Sequence, residues 1–325
     1  MKLVSYLKDD HAQLAFLVDG MLYDLERLHP DLPVSMAMFL NYWEDLLPIA
    51  HSLNRSLVEG NRKFTGIPLE EAYVLSPVPN PTSLRESDSF RVHAEAERKA
   101  RKQPMASGFD KFPGFSIVNH NSVMGPGEIV LMPDQLHKLD FGMQVAVVIG
   151  KPCRNVKAAE ADECIAGYVI TNALKGRGFY EQEWDMNSGS PKSRDFATTM
   201  GPLLVSTDEL EEYILPERDG HQGKSFNLDM KCRVNGELVS EGVVGTMEWN
   251  FAEIIERCSY GVQLFPGDVI TSGTVGTGCF LEFNETGRKN NPQWEDRWLK
   301  QGDEIEIEVE ELGVLKNTIV LDEGE

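Results

Sequence analysis

Lys138-Leu-Asp-Phe-Gly-Met-Gln-Val-Ala-Val-Val-Ile-Gly150 is the stretch on which the fold turns. It closes in an unbroken apolar run from Val145 to Ile149, rich in β-branched residues, and stops at Gly150 and Pro152. Such a run predicts a strand buried on both faces. Ahead of it Asp140, Gly142 and Gln144 alternate, so a period of two would send all three to one face. A carboxylate, a bare backbone and an amide beside a dry strand describe the floor of a pocket. They describe equally a strand end fraying into solvent.

Working outward, Cys164 to Asn172 is a second apolar strand, and it runs into Ala173-Leu-Lys-Gly-Arg-Gly-Phe179, where Gly176 and Gly178 permit a sharp bend. Upstream, the alternating charges from about Ser87 predict a solvated helix with His93 near its start. A lone histidine of this kind is more often structural than catalytic. Downstream, Lys192-Ser-Arg-Asp-Phe-Ala-Thr-Thr-Met-Gly-Pro202 is polar and then turns at Gly201-Pro202. Val234-Asn-Gly-Glu237 signals a hairpin, and Asn250 caps an amphipathic helix to Ser259. Gly273-Thr-Val-Gly-Thr-Gly278 follows a strand, but no helix pattern follows it, so a dinucleotide fingerprint is rejected. A loop whose NH groups and threonine hydroxyls line a site fits better. Alternating strands, Glu304 to Glu310 and Gly313 to Val320, come last.

Residues 3–24 read as hairpins turning at Asp9-Asp10 and Asp19-Gly20, and 34–60 reads as helical through Met36, Phe39, Leu40, Trp43, Leu46 and Leu47. Pro68 to Pro81 is proline-rich, stiff and extended, which places a boundary there. The expected organisation is a small N-terminal α+β domain, 1–75, and a larger unit, 76–325. The expected class is α+β, predominantly β.

The chain has 325 residues and a formal net charge of −21, which opposes binding to nucleic acid or to an anionic membrane. No apolar run approaches the ~20 residues of a membrane span. The first ten residues carry no signal-peptide pattern. Five scattered cysteines without CxxC spacing argue against a disulfide framework or a zinc site, and a cytoplasmic setting fits best. The seven histidines form no HxxxH or HxH pair.

Four patterns in order carry a resemblance: Lys138-Leu-Asp-Phe with Val145-Ala-Val-Val-Ile-Gly150, Lys192 to Pro202, Trp249-Asn-Phe-Ala-Glu-Ile-Ile-Glu256, and Pro266 to Gly278. Together they resemble the fumarylacetoacetate hydrolase family across roughly residues 76–325. The resemblance implies a mixed β-sheet roll, a small N-terminal domain and a homodimer. It also implies hydrolysis, isomerisation or decarboxylation of small dioxo or enol acids, with Mg²⁺ or Ca²⁺ held by four carboxylates.

The departures from that pattern fall at the metal. The family carries Asp-x-Glu-x-Glu where this chain has Asp140, Gly142 and Gln144. It carries Asn-Asp where this chain has Asn172-Ala173, and an aspartate after an arginine where Glu86 follows Arg85. Of four carboxylate positions only Glu86 keeps its charge. A hard divalent cation needs several anionic oxygens, so no metal is expected at Glu86, Gly142, Gln144 and Ala173.

Other family positions remain. By the resemblance, His93 is the catalytic histidine, Glu282 the acid that orients it, and Thr274 a substrate-binding threonine. Arg194 stands near a substrate-binding lysine, and Tyr180 at a position usually held by glutamine. Lys175 replaces a serine two residues past the lost aspartate, so on an extended backbone it could point into the vacated space. There it could bind a carboxylate, stabilise an enolate or form a Schiff base. A solvent-facing loop lysine is the competing reading.

The expected function is therefore that of a hydrolase, isomerase or decarboxylase of small dioxo or enol acids, C–C bond chemistry first, carried out without the usual Mg²⁺ or Ca²⁺. His93, Glu282 and Lys175 would be catalytic, and Arg177, Tyr180, Arg194 and Thr274 would bind substrate. The alternative is an inactive or redesigned pocket that binds a small molecule. A third possibility is a displaced metal on Glu86, Asp88 and Asp140.

Overall fold

A computed structural model describes residues 1–60, 64–183, 186 and 189–322. A 12-stranded mixed sheet forms the frame. Its main path runs Ile67–Pro68, Met21–Asp24, His11–Val18, Lys2–Lys8, Thr198–Val205, Ile165–Ala173, Met143–Ile149, Asp268–Thr271, Ser83–Ser87 and Phe115–Val118. A five-stranded sheet lies apart from it, ordered Glu237–Val243, Asp229–Val234, Glu304–Val309, Gly313–Leu321 and Gly127–Leu131. The class is α+β, mostly β, as the sequence implies.

The apolar run forms the expected strand, and every residue from Met143 to Ile149 is buried. Alternation divides its two faces between two cores. Met143, Val145, Val147 and Ile149 face a core shared with the five-stranded sheet and helix Phe251–Ser259. Ala146 and Val148 join a second core with Leu3, Phe16, Phe39 and Trp43. That second core is covered by helices Met36–Asn41 and Trp43–Val58, the two halves of the predicted 34–60 segment. The N-terminal strands continue the main sheet, because Lys2 and Leu3 pair with Val205 and Leu204.

Local signals place several elements as read. Asn235 and Gly236 both take positive φ at the tip of the predicted hairpin. Asn250 and Glu253 form a reciprocal capping box on Phe251–Ser259. Three expectations are corrected. The helix expected from Ser87 begins at Arg91, because Ser83–Ser87 is a strand parallel to Asp268–Thr271. The strand Thr198–Val205 runs through Gly201-Pro202 rather than turning there. A helix, Phe280–Asn290, does follow the glycine-rich loop.

No signal for that last helix is local. Cys279 at its N-cap makes no side-chain cap bond. The Asp140 carboxylate caps it instead, accepting from Phe280 N at 2.7 Å and Leu281 N at 3.2 Å. The next strand, Glu304–Val309, belongs to the other sheet, so the dinucleotide reading still fails, now on topology.

Candidate active site

Asp140, Gly142 and Gln144 are neither a shared pocket floor nor a frayed end, since all three are buried and each does something different. The chain jogs at Phe141-Gly142, between the short pairing of Leu139–Asp140 with Lys175–Gly176 and the strand Met143–Ile149. Asp140 caps the distant helix and also accepts from Arg177 Nε at 3.1 Å. Gly142 donates its N–H to Asn172 Oδ1 at 3.0 Å. A Cβ built on Gly142 would come within 2.9 Å of both Ala173 O and Thr274 Oγ1. Gln144 donates to Glu86 Oε1 at 2.8 Å and to Thr274 Oγ1 at 3.3 Å.

A cavity of about 520 Å³ has Glu86, His93, Glu97, Lys175, Arg194 and Thr274 among its walls, and Gln144 meets it through Glu86 and Thr274. His93 is the third residue of helix Arg91–Ala100, and Glu282 is the third of Phe280–Asn290. The two helices meet so that His93 Nδ1 lies 2.8 Å from Glu282 Oε2, with His93 3% and Glu282 5% exposed. The other oxygen of Glu282 accepts from Thr277 N at 2.9 Å. Assigning the Nδ1 proton to the carboxylate leaves Nε2 as the free nitrogen. That atom is buried and, among the described residues, has no hydrogen-bond partner.

Burial alone would depress the His93 imidazolium, but the charges of Glu282 and Glu97 outweigh it and raise its pKa. Glu97 sits one turn on from His93, with Oε1 3.6 Å from Nε2. Burial favours its neutral form, yet Arg177, Lys175, His93 and Arg101 hold it well below the usual carboxylate range. The sequence reading missed Glu97, although its i,i+4 spacing from His93 was visible. It also missed Cys279, whose thiol donates to Glu282 Oε2 at 3.3 Å.

The cations are matched from within. Lys175 points inward, with a side chain 17% exposed and Nζ 3.5 Å from Glu86 Oε1. Arg194 Nη1 lies 3.3 Å from Glu86 Oε2. Burial would raise the Glu86 pKa, but Lys175, Arg194 and the Gln144 amide bring it down to about 2. Arg177 is held by Asp140 and Glu97. Tyr180 lines the cavity with Arg101 4.6 Å over its ring. Thr274 follows Gly273, whose φ is +77° and whose added Cβ would strike Ser87 O.

His93, Cys279 and Glu282 also bring three metal-ligand atoms within 4.8 Å of one another. There the Arg177 guanidinium, 3.9 Å from the sulfur, opposes a further cation. The displaced-metal set does not assemble, since Asp140 is committed to the helix cap and Arg177.

The architecture agrees with comparison to known proteins. A model of the fumarylacetoacetate (FAA) hydrolase C-terminal domain matches residues 86–320. The chain belongs to the fumarylacetoacetate hydrolase family. It is 29% identical over 331 residues to the oxaloacetate tautomerase Fahd2a, mitochondrial, of Rattus norvegicus, covering 98% of this chain and 92% of that protein. It is 30% identical over 332 residues to the Homo sapiens oxaloacetate tautomerase FAHD2A, mitochondrial, with the same coverage. Among solved structures, maleylpyruvate hydrolase from Sphingobium sp. SYK-6, in complex with manganese (II) ion and pyruvate, superposes with a TM-score of 0.71 at 19% identity. That superposition covers 99% of this chain and all of that one, and at this identity it speaks for the family fold alone.

All five cysteines of this family member are free and buried. Among the described residues no helix is long and apolar enough to cross a membrane.

Proposed function

We propose that this family member moves a proton on a small dioxo or enol acid, interconverting keto and enol forms without a divalent ion. The observation that carries the reading is the buried His93, fixed through Nδ1 by Glu282 and presenting an unpartnered Nε2 to a cavity walled by cations. The tautomerase names of the relatives favour proton transfer over C–C hydrolysis as the first activity to test.

The family's Mg²⁺ or Ca²⁺ does not fit the residues present. Position 142 has no room for a carboxylate arm, 173 is an alanine, and 144 offers an amide already donated to Glu86. Glu86, the one retained carboxylate, is matched by Lys175 and Arg194. A hard ion would find too few free anionic oxygens to offset its dehydration.

In the proposed reaction the substrate carboxylate docks on Arg194, with Thr274 and Tyr180 lining the remainder. Neutral His93 Nε2 takes the proton from the carbon between the two carbonyl groups. The electron pair moves onto the carbonyl oxygen, where the Lys175 ammonium stabilises the enolate. The His93 imidazolium then gives that proton to the enolate oxygen, which completes the enol and restores the neutral base, and the reverse sequence restores the ketone. Arg177 positions Glu97 and Asp140 rather than binding substrate. A homodimer in a reducing, cytoplasmic setting remains part of the proposal, and sedimentation would test the assembly.

The test is the enol absorbance of oxaloacetate followed with EDTA-treated protein. Turnover should survive EDTA and fall by about 10²–10⁴-fold in His93→Ala. Unchanged turnover in a folded His93→Ala protein, or an absolute need for added Mg²⁺, sinks the reading. Saturable binding without turnover favours the small-molecule binding alternative, which has its own support in a cavity whose charges are already matched.

A further inference from the structure

We infer that the Lys175 ammonium is the resident cation of this site: it occupies the space beside Glu86 that a divalent ion would need, and its presence makes the protein refuse one. The inference rests on the metal-independent reading above and goes past it, since a site can lack ligands without being filled.

Three observations converge. First, the side chain is directed inward. Lys175 follows Ala173 by two residues and is held by the Asp140–Lys175 backbone pairing, with Nζ 3.5 Å from Glu86 Oε1. Second, the same Glu86 oxygen accepts from Gln144 at 2.8 Å, and Arg194 faces the other oxygen at 3.3 Å. Two fixed single charges therefore face the carboxylate where the family places one doubly charged ion. Third, the changes are coordinated. Gln144 offers Glu86 a donor where the family offers another anion. The missing Cβ at Gly142 leaves Thr274 Oγ1 and Ala173 O in the space a glutamate stem would cross.

An ammonium and a divalent ion differ in what they ask of a site. The ammonium donates hydrogen bonds and tolerates one carboxylate plus polar neighbours. The divalent ion demands several anionic oxygens at short range. Glu86 with Gln144 and Thr274 beside it provides the first environment. An ion on Glu86 Oε1 would also lie against Nζ, and like-charge repulsion between these largely buried groups would expel it.

The test separates the lysine from the missing carboxylates. Two variants restore negative ligands: Gln144→Glu with Ala173→Asp, and the same pair with Lys175→Ala. Each is titrated with Mn²⁺ by calorimetry and melted with and without Mn²⁺, against an ionic-strength control. The variant lacking Lys175 should bind Mn²⁺ and melt several degrees higher with it. The variant retaining Lys175 should bind at least tenfold more weakly. Equal Mn²⁺ affinity in the two overturns the inference.

Lys175→Ala alone provides a second measurement that needs no added carboxylate. Propylammonium chloride should raise its melting temperature above a NaCl control and leave the unaltered protein unaffected. Indifference to propylammonium in the folded variant also overturns the inference. None of these readouts depends on turnover, so loss of the tautomerase reading would not decide them.

Discussion

His93 Nδ1 lies 2.8 Å from Glu282 Oε2, although the two residues are 189 positions apart and stand on different helices. The contact fixes which imidazole nitrogen faces the cavity. It also sets the charge state, because Glu282 and Glu97 outweigh burial and raise the His93 pKa above its ordinary 6.5. A base must be neutral to accept a proton. Enolisation should therefore increase with pH, with a midpoint above 6.5. In Glu282→Gln the midpoint should move toward acid, since a stabilising negative charge is gone. The rate at the plateau should fall by roughly 10²-fold as the tautomer is no longer held. A pH–rate profile of both proteins checks this, and an unmoved midpoint contradicts it.

Glu86 predicts an acid limb of stability. Its pKa is lowered from 4.5 to about 2 in the folded chain. A depressed carboxylate stabilises the fold in full above 4.5, and that contribution disappears as the pH falls from 4.5 toward about 2. The size is on the order of 3 kcal/mol. Glu86→Gln should flatten the dependence in that window. At pH 7 it should cost ~1–3 kcal/mol, because Lys175 and Arg194 lose their shared anion. Urea unfolding across pH measures both effects. Parallel curves for the two proteins would contradict the assignment.

Asp140 joins the cap of helix Phe280–Asn290 to the buried charge of Arg177. Asp140→Asn keeps an acceptor but removes the ion pair. It should destabilise the chain by about 2–4 kcal/mol. Because that helix carries Glu282, turnover should fall as well, even though Asp140 touches no substrate in the proposed reaction. Denaturation and the enol assay on one preparation would show both losses.

Much of this was legible in sequence because it was local or patterned. The apolar run marked the central strand, Asn250 marked the start of its helix, and His93 and Glu282, singled out by the family positions, lie in contact. Lys175 was open between cavity and solvent, and the structure turns it inward. What stayed hidden depended on partners far along the chain. The helix after Gly278 has its cap 140 positions away, and the alternation of Asp140, Gly142 and Gln144 breaks where the backbone jogs. Period-two reasoning assumes one continuous strand, and nothing local announces that jog.

The strand Met143–Ile149 has one further consequence. Met143, Val145, Val147 and Ile149 belong to one apolar cluster, Ala146 and Val148 to the other, and Gln144 turns to Glu86. A slip of a single residue would exchange the occupants of both at once. Neither cluster can therefore melt while its neighbour stays intact, and heating should reveal one sharp calorimetric peak rather than two. Damage at Trp43, which packs in the second cluster, would then be felt at His93 through the all-or-none equilibrium that the partition enforces.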